Sequence, residues 1–178
     1  MSSNSKKWVL LAVISLGGVI IDWYTKHLAS HQLQVGVPIP VMGKYLQLML
    51  IYNTGGVFGI NPKAWLPWFQ VNLFFYIVSS LAIILLIIYY KGIDPKAILT
   101  RWGIALIMPG ALGNLVDRIL WPHRGVVDFL KMDLGFKPFN PWPIFNMADV
   151  YITIGIAVIL LDMALHPQRQ QSAVKEIS

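Results

Sequence analysis

Four runs of apolar residues divide this chain. Each is close to or longer than the roughly 20 residues that carry a helix across a bilayer. They cover residues 8–27, 66–90, 97–120 and 144–166, and polar positions gather at their ends. Between the first two runs lies a long loop, residues 28–63. Within it Tyr45-Leu46-Gln47-Leu48-Met49-Leu50-Ile51-Tyr52 is too short to span as a helix and partly alternates, which predicts a strand. Asn53-Thr54-Gly55-Gly56 then supplies a turn, and residues 57–60 a returning strand. The pattern predicts an all-α integral membrane protein: four transmembrane helices with a small extracytoplasmic β-sheet, one membrane-embedded domain over residues 1–178.

Composition agrees. Only 12% of residues are charged against 56% hydrophobic, where a soluble domain carries about a quarter charged. The absence of cysteine excludes disulfides, thiolate metal sites, a cysteine nucleophile and a lipidation cysteine on the chain itself. The net charge of +6 does not point to nucleic acid, because the basic residues are scattered and form no run. They read instead as juxtamembrane charges facing anionic headgroups. His27 and His31 are spaced i,i+4, but no Glu lies between them to make a zinc motif, so no metal is expected there.

An even number of spans puts both termini on one side. Lys6, Lys7, Lys91, Lys96, Arg101, Arg169 and Lys175 lie on that side, and Lys26, Lys44, Lys63, Arg118, Arg124, Lys131 and Lys137 on the other. The counts are equal, but the first set sits on shorter segments close to the spans, which favours cytoplasmic termini. Asp22 and Lys26 interrupt the first apolar run and no small-x-small site follows it, so it reads as an uncleaved anchor.

Threading this topology sends the polar residues to a single membrane interface. Asp22 closes the first span, Asn53 follows in the loop, and Asn114, Asp117 and Arg118 end the third span. Asp128 lies in the next loop, beyond Pro122, and Asn146 and Asp149 open the fourth span. Asp149 is expected about five residues inside that span, roughly 7–8 Å deep at 1.5 Å per residue. Ionised carboxylates near a bilayer are costly, and two brought face to face can share one proton, leaving one as base and one as acid. Blander readings apply to single members. Asp22 and Lys26 could be an i,i+4 pair snorkelling at a helix end, and Asp117 beside Arg118 a structural ion pair. Asn146 could be a helix cap and Asp149 a first-turn acid. Asp94, Asp133, Asp162 and Glu176 read as solvated charges.

The polar blocks also carry a resemblance. Asp22-x-x-Thr25-Lys26, Asn53-Thr54-Gly55-Gly56-Val57-Phe58, Gly110-Ala111-Leu112-Gly113-Asn114-Leu115-x-Asp117-Arg118, Val126-Val127-Asp128-Phe129 and Phe145-Asn146-x-Ala148-Asp149 resemble, in order, the signature blocks of the lipoprotein signal peptidase (signal peptidase II) family. Departures are local: Pro109 where the family more often has Gly, and Gly56-Val57 where Ala-Ala is usual.

The resemblance implies an aspartic endopeptidase of the bacterial cytoplasmic (inner) membrane, multi-pass, with cytoplasmic termini and an active site near the outer face. It would cut diacylglyceryl-modified prolipoproteins just before the lipidated cysteine. It implies Asp128 and Asp149 as the catalytic pair, with Asn53, Gly55, Asn114, Arg118 and Asn146 holding substrate or supporting the pair. Asp22, Lys26 and Asp117 would be structural or supporting. It further implies membrane phospholipids as surroundings, globomycin-type inhibitors as ligands, and no cofactor. The rival reading is a small proton-coupled membrane transporter relaying through Asp22, Asp117 and Asp149. Transporter sites usually lie near the midplane between inverted repeats, and no repeat is visible in this chain.

Overall fold

The computed structural model of the protein describes residues 3–54, 71–94, 96–135 and 142–167. In chain order these form α1 (Ser3–Gln32), β1 (Ile39–Met42), β2 (Leu46–Asn53), α2 (Val71–Gly92), α3 (Ile98–Leu120), β3 (Val126–Met132) and α4 (Met147–Leu165). All four helices are long and apolar enough to cross a membrane. Their outward faces expose Val13, Leu16, Leu81, Ile88 and Leu160. That is how apolar helices look when their surroundings are lipid rather than water.

Helix α3 is the centre of the bundle, packing most extensively on α4 and then on α1. Glycines make the contact close. A Cβ on Gly103 would meet the Ile159 side chain and the Gly155 carbonyl, and one on Gly110 would run into the Ala148 carbonyl and Ile152. Such small-residue seams let membrane helices approach without a hydrophobic driving force between them. Pro109 lies inside α3 without ending it, and its ring fills the space left by Gly18 on α1. At the end of the bundle away from the sheet, Leu11, Tyr90, Ile93, Ala97, Ile104, Ala105 and Met108 form the apolar core. There the buried Lys7 ammonium donates to the Lys91 carbonyl at 2.8 Å, a cation serving the C-terminus of α2.

The sheet is antiparallel in the order β1-β2-β3. The predicted strand at residues 45–52 is β2, and among the described residues it pairs on both sides. Its partners are Ile39–Met42, with Pro40 on the sheet edge where a missing N–H is tolerated, and Val126–Met132. The predicted returning strand at 57–60 and Gly55 lie outside the described residues.

Boundaries of α1 and α4 differ from expectation, and α1 begins at Ser3 rather than near Trp8. Helix α1 continues past His27 to Gln32, burying Ala29. Helix α4 starts at Met147 rather than near 144, because Phe145 is extended and bonded to β3 while Asn146 caps the helix. Asp149 therefore sits in the first turn, not five residues deep. Asp162, expected to be solvated, is buried between Thr100 Oγ1 and His166 Nδ1.

Candidate active site

Strand pairing places the first carboxylate. Asp128 lies opposite Ile51 in the β2–β3 register, so Asn53, two residues along β2, projects on the same face. Asn53 Nδ2 donates to Asp128 Oδ2 at 3.1 Å. Gly125, at φ +78°, has the Asn53 carbonyl packed where a Cβ would stand, so only glycine lets the chain enter β3 beside Asn53.

A second backbone contact places the other carboxylate. Phe145 exchanges hydrogen bonds with Leu130, its N–H reaching Leu130 O at 3.0 Å and its carbonyl accepting the Leu130 N–H at 2.8 Å. The next residue, Asn146, is thereby delivered beside Asp128 and begins α4. Its Oδ1 accepts the Asp149 N–H at 3.1 Å, and its own N–H donates to Asp149 Oδ2 at 3.1 Å, a reciprocal capping box.

Asn146 Nδ2 donates both to Asp128 Oδ1 at 2.7 Å and to Asn114 Oδ1 at 3.1 Å, and Asn114 Nδ2 donates to Asp149 Oδ1 at 3.0 Å. One fully buried residue therefore touches both carboxylates, Asp128 through its side-chain amide and Asp149 through its backbone N–H, and Asn114 closes the ring.

The two acids have unlike surroundings. Asp128 is 3% exposed. Burial, and then the charge of Asp149, push its carboxyl up to about 7, against the opposing pull of the Asn53 and Asn146 amides and of Lys26. Asp149 is half-buried, and both its oxygens accept N–H groups at the N-terminus of α4.

Behind the pair, Asp22, Lys26 and Asp117 are buried together rather than snorkelling. Lys26 Nζ lies 2.7 Å from Asp22 Oδ2 and 3.0 Å from Asp117 Oδ2, and donates to Asn114 Oδ1 at 3.0 Å. Asp117 thus pairs with Lys26, not with its neighbour Arg118 as the sequence suggested. Arg118 stacks over the Phe75 ring at 4.2 Å, and its carbonyl accepts the Tyr76 hydroxyl at 2.7 Å. The parts played by Phe75, Tyr76 and Gly125 are new here.

Asp22, Lys26, Asn53, Asn114, Asp117, Asp128, Asn146 and Asp149 thus form one connected polar site at a single end of the bundle. The expected convergence holds for all of them, and Gly55 alone of the expected site residues lies outside the described residues. No group of three or more His, Cys, Asp or Glu side chains among the described residues is arranged to hold a metal ion.

Fold and site together define a multi-pass membrane protein whose acids meet at one end of the helical bundle. The chain belongs to the signal peptidase II family: the family model described as Signal peptidase (SPase) II matches residues 14–165. It is 34% identical over 154 residues to the lipoprotein signal peptidase of Syntrophotalea carbinolica, covering 85% of this chain and 89% of that one. Against the lipoprotein signal peptidase of Coxiella burnetii (strain Dugway 5J108-111) it is 32% identical over 172 residues, covering 94% and 97%. A solved structure described as a bacterial membrane enzyme, obtained by the in meso method, superposes with a TM-score of 0.74 at 27% identity over 89% of this chain and 90% of that one. Family membership makes the chain a protease and sets the transporter reading aside.

Proposed function

We propose that the protein is an aspartic endopeptidase that removes signal peptides from diacylglyceryl-modified prolipoproteins, cutting before the lipidated cysteine. The observation that carries the aspartic reading is Asn146, whose amide and backbone N–H bind one oxygen of Asp128 and one of Asp149. Two acids in contact with one residue can address one water and one peptide bond.

In this mechanism Asp149 serves as the base and takes a proton from a water as that water's oxygen bonds to the scissile carbonyl carbon. Asp128, carrying a proton, donates a hydrogen bond to the carbonyl oxygen as negative charge grows there. When the tetrahedral intermediate collapses, the C–N bond breaks and the proton on Asp149 passes to the departing amine. Asn53, Asn114, Asn146 and Arg118 hold the pair or the substrate backbone, and neither metal nor cofactor takes part.

The chain would lie in the bacterial cytoplasmic (inner) membrane among phospholipids, its termini cytoplasmic and the site near the outer face. The substrate's acyl chains would then stay in lipid while its peptide reaches the polar end of the bundle. Globomycin-type lipopeptides would compete for that place.

The test is cleavage of a diacylglyceryl-modified prolipoprotein by purified protein, beside an unlipidated control, with and without EDTA. Cleavage of the lipidated substrate alone, unaffected by EDTA and lost in Asp128→Asn and in Asp149→Asn, is the expected result. Full activity in either folded variant removes the pair from the mechanism.

A further inference from the structure

An ammonium group has three N–H donors, and all three of Lys26's are used inside the bundle. Each leads to one of the two acids through one further hydrogen bond. The Asp22 carboxylate, 2.7 Å from Lys26, accepts the Ala148 N–H at 2.8 Å on its other oxygen, and Ala148 immediately precedes Asp149. The Asp117 carboxylate, 3.0 Å from Lys26, accepts the Val127 N–H at 3.3 Å, and Val127 immediately precedes Asp128. Asn114 Oδ1 takes the third donor at 3.0 Å, and its Nδ2 then faces Asp149 Oδ1.

The third route also settles an orientation. Asn114 Oδ1 accepts from both Lys26 and Asn146 Nδ2, so its two lone pairs are filled and its amino group has to turn to Asp149. With the Lys26 donor gone, an amide flip would set an oxygen against the Asp149 carboxylate.

We propose that Lys26 is a positioning residue for the peptide-cleaving pair: one buried ammonium that joins α1 to α3 and, through Asp22, Asp117 and Asn114, sets where Asp128 and Asp149 stand relative to each other. The inference rests on the aspartic reading above and adds to it a source of alignment outside the reacting groups. Lys26 touches neither acid directly. The charged groups facing the pair are Asp22 and Lys26 from α1 and Asp117 and Arg118 from α3, and each acid also faces the other, Asp128 from β3 and Asp149 from α4. Among them Lys26 is the one that reaches both acids through intermediates.

A role confined to folding makes a different prediction. Buried carboxylates deprived of their cation destabilise the protein and lower the amount folded, without altering what each folded molecule does. A positioning role alters the chemistry per molecule. Misaligned acids slow turnover of bound substrate, so kcat falls while KM holds.

The test uses full-length protein in detergent or proteoliposomes, with kcat and KM on lipidated substrate normalised to the folded fraction. Lys26→Arg keeps the charge but replaces a three-way donor with a planar fork, and Lys26→Met removes both. In Lys26→Arg, kcat per folded molecule is expected to fall about tenfold or more with KM little changed. Lys26→Met should lower kcat further.

An unchanged kcat per folded molecule in Lys26→Arg overturns the proposal. So does failure of both variants to fold, which assigns Lys26 to stability alone. A wild-type protein that does not cleave, or that cleaves with both Asp128→Asn and Asp149→Asn active, defeats the parent reading instead.

Discussion

Asn146 donates to Asp128 at 2.7 Å, and backbone pairing rather than side-chain reach holds the two together. Phe145 is bonded to Leu130, two residues beyond Asp128, so the residue that follows it must fall beside the acid. Asn146→Ala removes two side-chain donations and the helix cap at once. Loss of the cap alone costs about 1 kcal/mol, and the buried Asp128 loses one of its two amide partners. Cleavage should fall by roughly a hundredfold or more, as when one preorganised donor is taken from a charged reaction centre, and the midpoint of thermal unfolding should drop. Activity within twofold of wild type would show that the bridge between the acids is dispensable.

In the proposed mechanism the dependence on pH comes from Asp128. Its carboxyl is pushed up to about 7, chiefly by burial. A mechanism needing its proton should lose activity as pH rises through that value, giving a descending alkaline limb. The Asn53 amide favours the ionised form, so Asn53→Ala should raise the carboxyl further and carry that limb upward by about one unit. The stability linkage has a matching sign. A folded pKa above the ordinary 3.8 means the folded state holds the proton more tightly. The resulting stabilisation is complete below about 3.8 and is lost as pH rises through about 7. Thermal unfolding between pH 5 and 8 should therefore show the wild type losing ground to Asp128→Asn as pH increases.

Much of this was legible in the chain because lipid imposes a simple rule: long apolar runs must be helices. That rule located the four spans, and alternation located β2. Threading alone brought Asp22, Asn114, Asp128 and Asp149 to one end. The remainder depends on contacts between distant residues. Ile39-Pro40-Val41-Met42 reads as a loop, because its Pro is acceptable only once an edge position is known. Asp22 and Lys26 look like a local i,i+4 pair until α3 supplies Asn114 and Asp117, which turn a surface feature into a buried junction. The start of α4 could not be placed within three residues from hydropathy alone. The apolar Ile144 and Phe145 extend the run, whereas Asn146 and the bond to Leu130 decide where the helix begins.

Gly113 shows how closely that junction is packed. Any Cβ at this position would overlap Asp22 Oδ2, the oxygen that faces Lys26. Gly113→Ala should displace Asp22, weakening its hold on both Lys26 and the Ala148 N–H, at a cost of about 1–3 kcal/mol, as for other overpacked cores. Gly17→Ala is the control, since nothing lies within 4 Å of a Cβ there. It should leave unfolding unchanged, or raise it slightly through helix propensity. Thermal unfolding of the two variants in the same detergent, with cleavage measured beside it, separates crowding at Asp22 from a general intolerance of alanine in the helices.

Asp162 offers a test at the opposite end of the bundle. It lies about 20 Å from Asp149 along α4, at 1.5 Å per residue. Its two oxygens bind Thr100 in the first turn of α3 and His166, at 2.8 Å, just beyond the last residue of α4. Asp162→Ala leaves the Thr100 hydroxyl without this acceptor and frees the α3–α4 contact at its far end. The expected cost is about 1–3 kcal/mol of stability. No bond of the Asp128–Asn146–Asp149 network passes through it, so cleavage per folded molecule should match wild type at every pH. A variant that keeps its folded fraction but loses turnover would mean that the two faces of the membrane communicate through α4, and the site could no longer be treated as a local assembly at one end.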